Sequence, residues 1–200
     1  MSAVVTQALA LPPISEREVL RYMGAREATD AVRAMLREVI DEAGNCFSGR
    51  VCAMECPVSI DGATVDLGFS LVESRDLAKA LAGCASAILF AATVGMEIDR
   101  LISRYQHLSP ARALALQALG AERVEALCDV FCRARAAEYE PRGLSLRPRF
   151  SAGYGDLPLS FQRELFRALD CPKRIGLTLN DSLLMSPTKS VTAIVGLKKG

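Results

Sequence analysis

The hydrophobic period of the chain changes at Arg50, and this change constrains the fold more than any other feature of the sequence. Between residues 30 and 44, apolar residues recur every three or four positions, which predicts an amphipathic helix. Beyond Arg50, stretches 51–58 and 63–69 are predicted strands, and Asp61-Gly62 between them is a hairpin signal that predicts an antiparallel pair. Helices and hairpin-linked strands in one chain indicate the α+β class.

Turn and capping residues place most of the other elements. Ser15 and Ser74 are predicted N-caps, and Ser109-Pro110 begins the longest helix, which should run to about Glu138 unless Gly120 interrupts it. We expect a mainly antiparallel, twisted sheet with flanking helices. The remaining predicted helices are 96–105 and 160–169, and the remaining predicted strands are 85–92, 144–150, 175–179 and 191–197.

Length, charge and hydropathy exclude several classes of partner. Two hundred residues, half of them hydrophobic, are enough for one packed domain. With 24 basic and 23 acidic residues, no net field favours nucleic acid. No basic residue precedes the apolar start of the chain, and the stretch 84–96 is shorter than the roughly 20 residues a bilayer span needs. We therefore expect a soluble, cytoplasmic protein with no nucleic-acid or membrane partner.

The seven cysteines allow two interpretations. Cys52 and Cys56 lie four residues apart on a predicted strand, and Cys128 and Cys132 lie four apart on a predicted helix, so each pair shares a face. A four-thiolate metal site is one interpretation, and buried apolar thiols are the other. Because no CxxC pair is present, the second is favoured and no metal site is expected.

Acid–base and nucleotide chemistry have few candidate residues. The only histidine is His107, in a predicted loop, where a solvated side chain is the simpler interpretation. The sequence has no nucleophile elbow, no P-loop and no Gly-x-Gly-x-x-Gly after a strand. We expect no catalytic residue of these types.

The strongest chemical signal is the segment 146–158, rich in Gly and Pro. Arg149, Tyr154 and Asp156 lie within eight residues, and such a set suits a small zwitterion: the guanidinium can bind a carboxylate, while Tyr or Asp faces a positive group. From Cys132 to Arg149, five arginines stand against two acids, so the segment begins beside positive charge. A solvent-exposed turn would contain the same residue types, so a ligand loop and a plain turn both stay open.

The string from Arg149 to Tyr154 resembles the Arg-x-x-x-Gly-Tyr motif by which the activation domain of cobalamin-dependent methionine synthase holds S-adenosylmethionine. The later run 175–191 is also similar to that family, and the helix 121–129 matches it loosely. The chain departs from the family after Tyr154, where Gly-Asp-Leu-Pro replaces Pro-Ala-Cys-Pro. It also ends at Gly200, before the region of a further pair of ligand-contacting tyrosines, so we expect the pocket to be completed differently or by a partner.

The resemblance implies a site and a role. Arg149 would bind the carboxylate of S-adenosylmethionine, Gly153 would allow close backbone approach, and Tyr154 would line the pocket together with Ser151 and Ala152. The chain would be a free-standing short form of the domain, with residues 1–28 as an N-terminal extension containing a short helix and 29–200 as the activation-domain-like part.

In function, the resemblance implies a reactivation subunit that supports reductive methylation of cob(II)alamin, an accessory to the methyltransferase. Cobalamin would be carried by the methionine synthase core polypeptide, and flavodoxin or ferredoxin would donate the electron. Two alternatives stay open: a reactivation module for another corrinoid methyltransferase, and a structural α+β domain with no ligand.

Overall fold

The computed structural model describes residues 2–25 and 27–200, which form seven α-helices and ten strands. The helices are α1 (Glu16–Tyr22), α2 (Asp30–Ala43), α3 (Arg75–Ala80), α4 (Glu97–Leu108), α5 (Pro110–Tyr139), α6 (Gln162–Leu169) and α7 (Cys171–Ile175). The strands are β1 (Val5–Ala8), β2 (Arg50–Pro57), β3 (Ser59–Asp61), β4 (Thr64–Asp66), β5 (Leu71–Glu73), β6 (Cys84–Thr93), β7 (Leu144–Leu146), β8 (Thr178–Leu179), β9 (Met185–Ser186) and β10 (Ser190–Lys199).

The main sheet has five strands in the order β1-β2-β6-β10-β7, and every neighbouring pair is antiparallel. β6 and β10 lie in its interior and are almost wholly buried. Their continuous apolar sequences follow from this position, because helices cover the sheet on both faces and neither face of these strands meets water. A small sheet of β3-β4-β5 and a β8-β9 ribbon complete the architecture.

Alternate residues of the sheet enter two separate cores. Val51 packs with α1, α2, α4 and α5 on one face, whereas its neighbour Cys52 packs with α3, α6 and α7 on the other. This alternation is the period of two expected of a strand. The predicted class, an α+β domain with a mainly antiparallel, twisted sheet and flanking helices, is confirmed, and the sheet is curled.

α1 begins after the predicted N-cap Ser15, and residues of α5 fix the segment that precedes it. The Ser15 hydroxyl accepts a hydrogen bond from the Glu18 N–H. The backbone N–H of Ser15 donates to Glu122 Oε1 of α5 at 3.2 Å. The adjacent Arg123 donates to the carbonyls of Pro12 (2.6 Å) and Pro13 (3.2 Å). A buried ion pair on α5 therefore fixes the segment before α1, and β1 pairs with β2. The division of the chain at residue 28 stays a prediction.

α5 is one continuous helix through Gly120, the residue at which the sequence allowed a break. The side chain of Lys189 crosses the helix at this point, and a Cβ on Gly120 would lie 2.9 Å from the Lys189 Cε and Cγ atoms. A side chain at position 120 would displace the Lys189 side chain, so glycine allows the segment before β10 to pack closely against α5. Lys189 Nζ donates to Gln117 Oε1 at 2.5 Å, which fixes the crossing.

Three local predictions were wrong in detail. The Asp61-Gly62 turn joins β3 to β4 in the small sheet, while β2 pairs with β1 and β6. The predicted strand 144–150 is interrupted because Pro148 has no N–H, and pairing with β10 resumes only at Phe150. Of the predicted strand 175–179 only β8 forms, because residue 175 is the last residue of α7 and Gly176 ends that helix in a left-handed conformation.

Candidate functional site

The loop that follows β7 is shaped by one strand contact and two glycines. Phe150 and Ile194 exchange both backbone hydrogen bonds, at 2.9 and 2.8 Å, and the chain then leaves the edge of β10. Gly153 (φ +89°) and Gly155 (φ +55°) turn it through backbone conformations that favour glycine. The Gly153 N–H donates to the Leu157 carbonyl at 2.9 Å and closes the loop.

This departure opens a cavity of about 490 Å³ between the loop, α5, the start of α6 and the free edge of β10. Its size lies within the roughly 300–1,000 Å³ typical of small-molecule sites. Polar and apolar groups both line it: Glu125, Arg149, Phe150, Ser151, Ala152, Tyr154, Gln162, Met185, Ser190, Val191 and Thr192.

Arg149 is the cation of the cavity and is already paired with acids. Its Nη2 donates to Glu125 Oε2 at 2.9 Å and to Asp129 Oδ1 at 3.1 Å, both on α5. No other oxygen of the described residues accepts a hydrogen bond from this guanidinium. One arginine and two carboxylates give this end of the site a formal charge of −1.

Four of the five residues predicted from the motif line the cavity, namely Arg149, Ser151, Ala152 and Tyr154. Gly153 does not: it turns the loop, and a Cβ there would come within 3.1 Å of the Leu159 Cδ1 atom. Ala152 is buried, whereas Tyr154 is 69% exposed and free to contact a ligand or a partner protein. The binding role of all five residues stays a prediction.

The sequence did not identify the rest of the lining. Glu125 lies on the predicted long helix, but nothing in its spacing shows that it meets Arg149. The run 175–191 was noted for its resemblance, yet Met185, Ser190 and Val191 were not assigned to the site. Strand pairing brings these residues to the loop across more than thirty positions of sequence, and no local pattern records that contact.

Asp156 fixes the far end of the loop to the start of α3. Its carboxylate accepts hydrogen bonds from the Ser74 hydroxyl, from the Arg75 N–H (2.8 Å) and from the Asp76 N–H (3.2 Å) at the start of α3. The hydrogen bond from Ser74, followed by those from the backbone, lowers the pKa of Asp156 below its ordinary value. The loop is therefore tied to α3 by a residue that the family motif lacks.

The cysteine pairs cannot form one four-thiolate site. Cys52 and Cys56 face the core that contains α6, whereas Cys128 faces the opposite core, so the sheet separates the pairs. Burial raises the pKa of Cys128, beside Arg149, to about 12 and also raises that of Cys132. Among the described residues, no cluster of three or more His, Cys, Asp and Glu side chains is placed to bind a metal ion.

Two further predictions concern His107 and membrane spans. His107 is exposed in the last turn of α4 and not in a loop, and it does not line the cavity. Within residues 2–25 and 27–200, no helix combines the length and the apolar character that a bilayer crossing requires.

Fold and cavity together define the class: an α+β domain whose curled antiparallel sheet, flanked by helices, opens at one strand edge into a small-molecule-sized pocket. Among solved structures, the chain is similar to the MetH reactivation domain bound to AdoHcy, with a TM-score of 0.70 and 14% sequence identity. The match covers 97% of this chain and 78% of that chain, which confirms the fold that the motif resemblance implied. No protein-family model matches the chain, and no curated protein matches it in sequence.

Proposed function

We propose that the chain binds S-adenosylmethionine in the cavity beside Arg149 and serves as a reactivation subunit of a cobalamin-dependent methionine synthase. One observation carries the proposal. Four of the five motif residues that resemble an S-adenosylmethionine site line a single pocket, in a fold similar to that of a reactivation domain bound to AdoHcy. Cobalamin would be carried by the partner core polypeptide, and flavodoxin or ferredoxin would supply the electron, in the cytoplasm.

The charge of the cavity suits this ligand. S-adenosylmethionine has a carboxylate, an ammonium and a sulfonium group, and therefore a net charge of +1. Arg149 can bind the carboxylate, while Glu125 and Asp129 attract the two cationic groups. S-adenosylhomocysteine lacks the sulfonium charge, so the same residues would favour the methyl donor over its product.

The residues of this chain would act by placement. S-adenosylmethionine supplies an electrophilic methyl group, and its transfer to a nucleophilic metal centre requires no proton transfer from the protein. Arg149 would fix the amino-acid end of the ligand, and the loop tied through Asp156 would hold Ser151 and Tyr154 against it. Correct orientation of the two reactants is itself a large contribution to rate.

Isothermal titration calorimetry with S-adenosylmethionine and S-adenosylhomocysteine tests binding, with ATP and methionine as ligands that should not compete. We expect one site per chain and a raised melting temperature at saturating ligand, because a ligand that binds only the folded state stabilises it. No heat and no thermal shift at millimolar ligand would refute the proposal.

The partner is tested by reconstitution. A cobalamin-binding methionine synthase core without its own activation domain should regain activity after oxidation only when this chain, S-adenosylmethionine and a one-electron donor are all present. Recovery with a different corrinoid methyltransferase, and not with methionine synthase, would favour the alternative partner.

A further inference from the structure

Two residues that line the cavity each have a buried side-chain oxygen with no hydrogen-bond partner in the part of the chain that the structure describes. They are Gln162 Oε1 and Thr192 Oγ1, two of the three such side-chain atoms there. Both residues line the cavity, and they are only 6% and 2% exposed. Because buried polar groups in native proteins are nearly always paired, two orphans among the residues that line one pocket point to hydrogen bonds supplied from outside the chain.

The backbone beside Thr192 adds to this polar set. The N–H and C=O groups of Ile194 bond to Phe150, and in an antiparallel ladder the groups two residues away point to the same side. The N–H and C=O of Thr192 therefore point toward the open edge, where none of the described residues forms a strand beyond Phe150. This part of the cavity offers a carboxamide, a hydroxyl, and one backbone donor and acceptor.

A terminal carboxamide places one donor and one acceptor side by side, and this pattern complements the N6 amino group and N7 of adenine. The neighbouring apolar side chains of Phe150, Met185 and Val191 suit the faces of a purine ring. A 6-oxopurine presents two acceptors at the same edge and would satisfy only one group of the carboxamide.

We propose that Gln162 and Thr192 form the base-recognition end of the cavity, and that Gln162 selects adenine over a 6-oxopurine. This inference rests on the proposed binding of S-adenosylmethionine and adds which residues read its base. Arg149 and Glu125 provide the charged end for the amino-acid part, and these two residues select no base.

The test compares Gln162→Leu and Thr192→Val, which remove the polar atoms while keeping the side-chain size, with Gln106→Leu on the exposed surface of α4 as the matched control. Each protein is titrated with S-adenosylhomocysteine and with S-inosylhomocysteine. We expect the wild type to prefer the adenosyl compound by about tenfold. Gln162→Leu should lose that preference, Thr192→Val should weaken both ligands with the preference kept, and Gln106→Leu should match the wild type.

Melting temperatures without ligand separate recognition from structure. Both variants remove an unpartnered buried oxygen, so each should melt at or above the wild-type temperature although it binds more weakly. If Gln162→Leu keeps the preference for adenine, or melts at a lower temperature with unchanged affinity, this inference is overturned while the proposed function stands. A wild type that binds neither adenosyl compound would overturn both this inference and the proposed function.

Discussion

Arg149 donates a hydrogen bond from Nη2 to Glu125 Oε2 at 2.9 Å, across 24 residues of sequence. The same nitrogen reaches Asp129, so both acids occupy one side of the guanidinium. Nε and Nη1 donate to no oxygen of the described residues, so their N–H groups are available to a ligand carboxylate. The acids thus orient Arg149 and add negative charge beside it.

Arg149→Lys should weaken S-adenosylmethionine binding although the charge is kept. Lysine is a compact point charge that cannot make the paired hydrogen bonds of a guanidinium. Hydrogen bonds to charged groups are worth about 1.5–3 kcal/mol, so we expect roughly a tenfold to hundredfold loss of affinity by calorimetry. Arg149→Ala should lose at least as much, whereas Arg100→Ala on the exposed surface of α4 should change nothing. Equal affinity of all four proteins would remove Arg149 from the site.

Glu125→Gln should reduce the preference for S-adenosylmethionine over S-adenosylhomocysteine. The substitution removes one negative charge from the cavity. S-adenosylmethionine has a sulfonium cation that this charge attracts, whereas S-adenosylhomocysteine has none, so only the methyl donor loses that attraction. Because the Glu125 side chain is 42% exposed, solvent screens it, and we expect an effect of about 1 kcal/mol, roughly fivefold, on the ratio of the two dissociation constants. Glu164→Gln on α6 is the control, and an unchanged ratio in Glu125→Gln would contradict the charge argument.

Asp156→Asn should loosen the loop and change the acid sensitivity of the protein. The folded-state pKa of Asp156 lies below its unfolded value, so its stabilisation is complete above the unfolded pKa and is lost as pH falls through the folded pKa. The variant should melt below the wild type at pH 7, and the gap should narrow toward pH 3. Melting curves across this range test it, and a constant gap would show that the charge of Asp156 contributes nothing.

Arg123→Met should destabilise the protein strongly and free the segment before α1. Glu122 and Arg123 side chains are only 6% and 3% exposed, and loss of one partner leaves a buried charge unpaired, at a cost of about 3–5 kcal/mol. Glu122→Gln combined with Arg123→Met should recover part of the loss, measured by urea unfolding. A double variant as unstable as the sum of the single variants would show that the two side chains act independently.

The thiols should react slowly and bind no stoichiometric metal. Burial raises the pKa of Cys56 and of Cys128 to about 12, so at pH 8 almost none of either is the reactive thiolate. The partly exposed Cys46 should react first with a thiol reagent, and the full count should appear only after unfolding. Elemental analysis that finds one zinc or iron per chain would contradict this assignment.

The sequence alone determined the local elements whose signals are carried by neighbouring residues. Ser15 and Ser74 cap helices through contacts three residues away, and period-two or continuous apolar runs specify β2, β6 and β10. The Arg149–Tyr154 motif and the α+β class were likewise present in the order of residues. Each of these features depends on short-range geometry or on burial, which a linear pattern records.

Only the tertiary structure decided which elements meet. The Asp61-Gly62 turn was predicted, but it belongs to a separate sheet because β2 pairs with β1 and β6 and not with the strand after the turn. The site was decided in the same way. Glu125, Gln162 and Thr192 come to the loop from a helix, a helix start and a strand edge because two cores pack on opposite faces of one sheet. Contacts between distant residues are set by the free energy of burying the whole chain, which no single segment expresses.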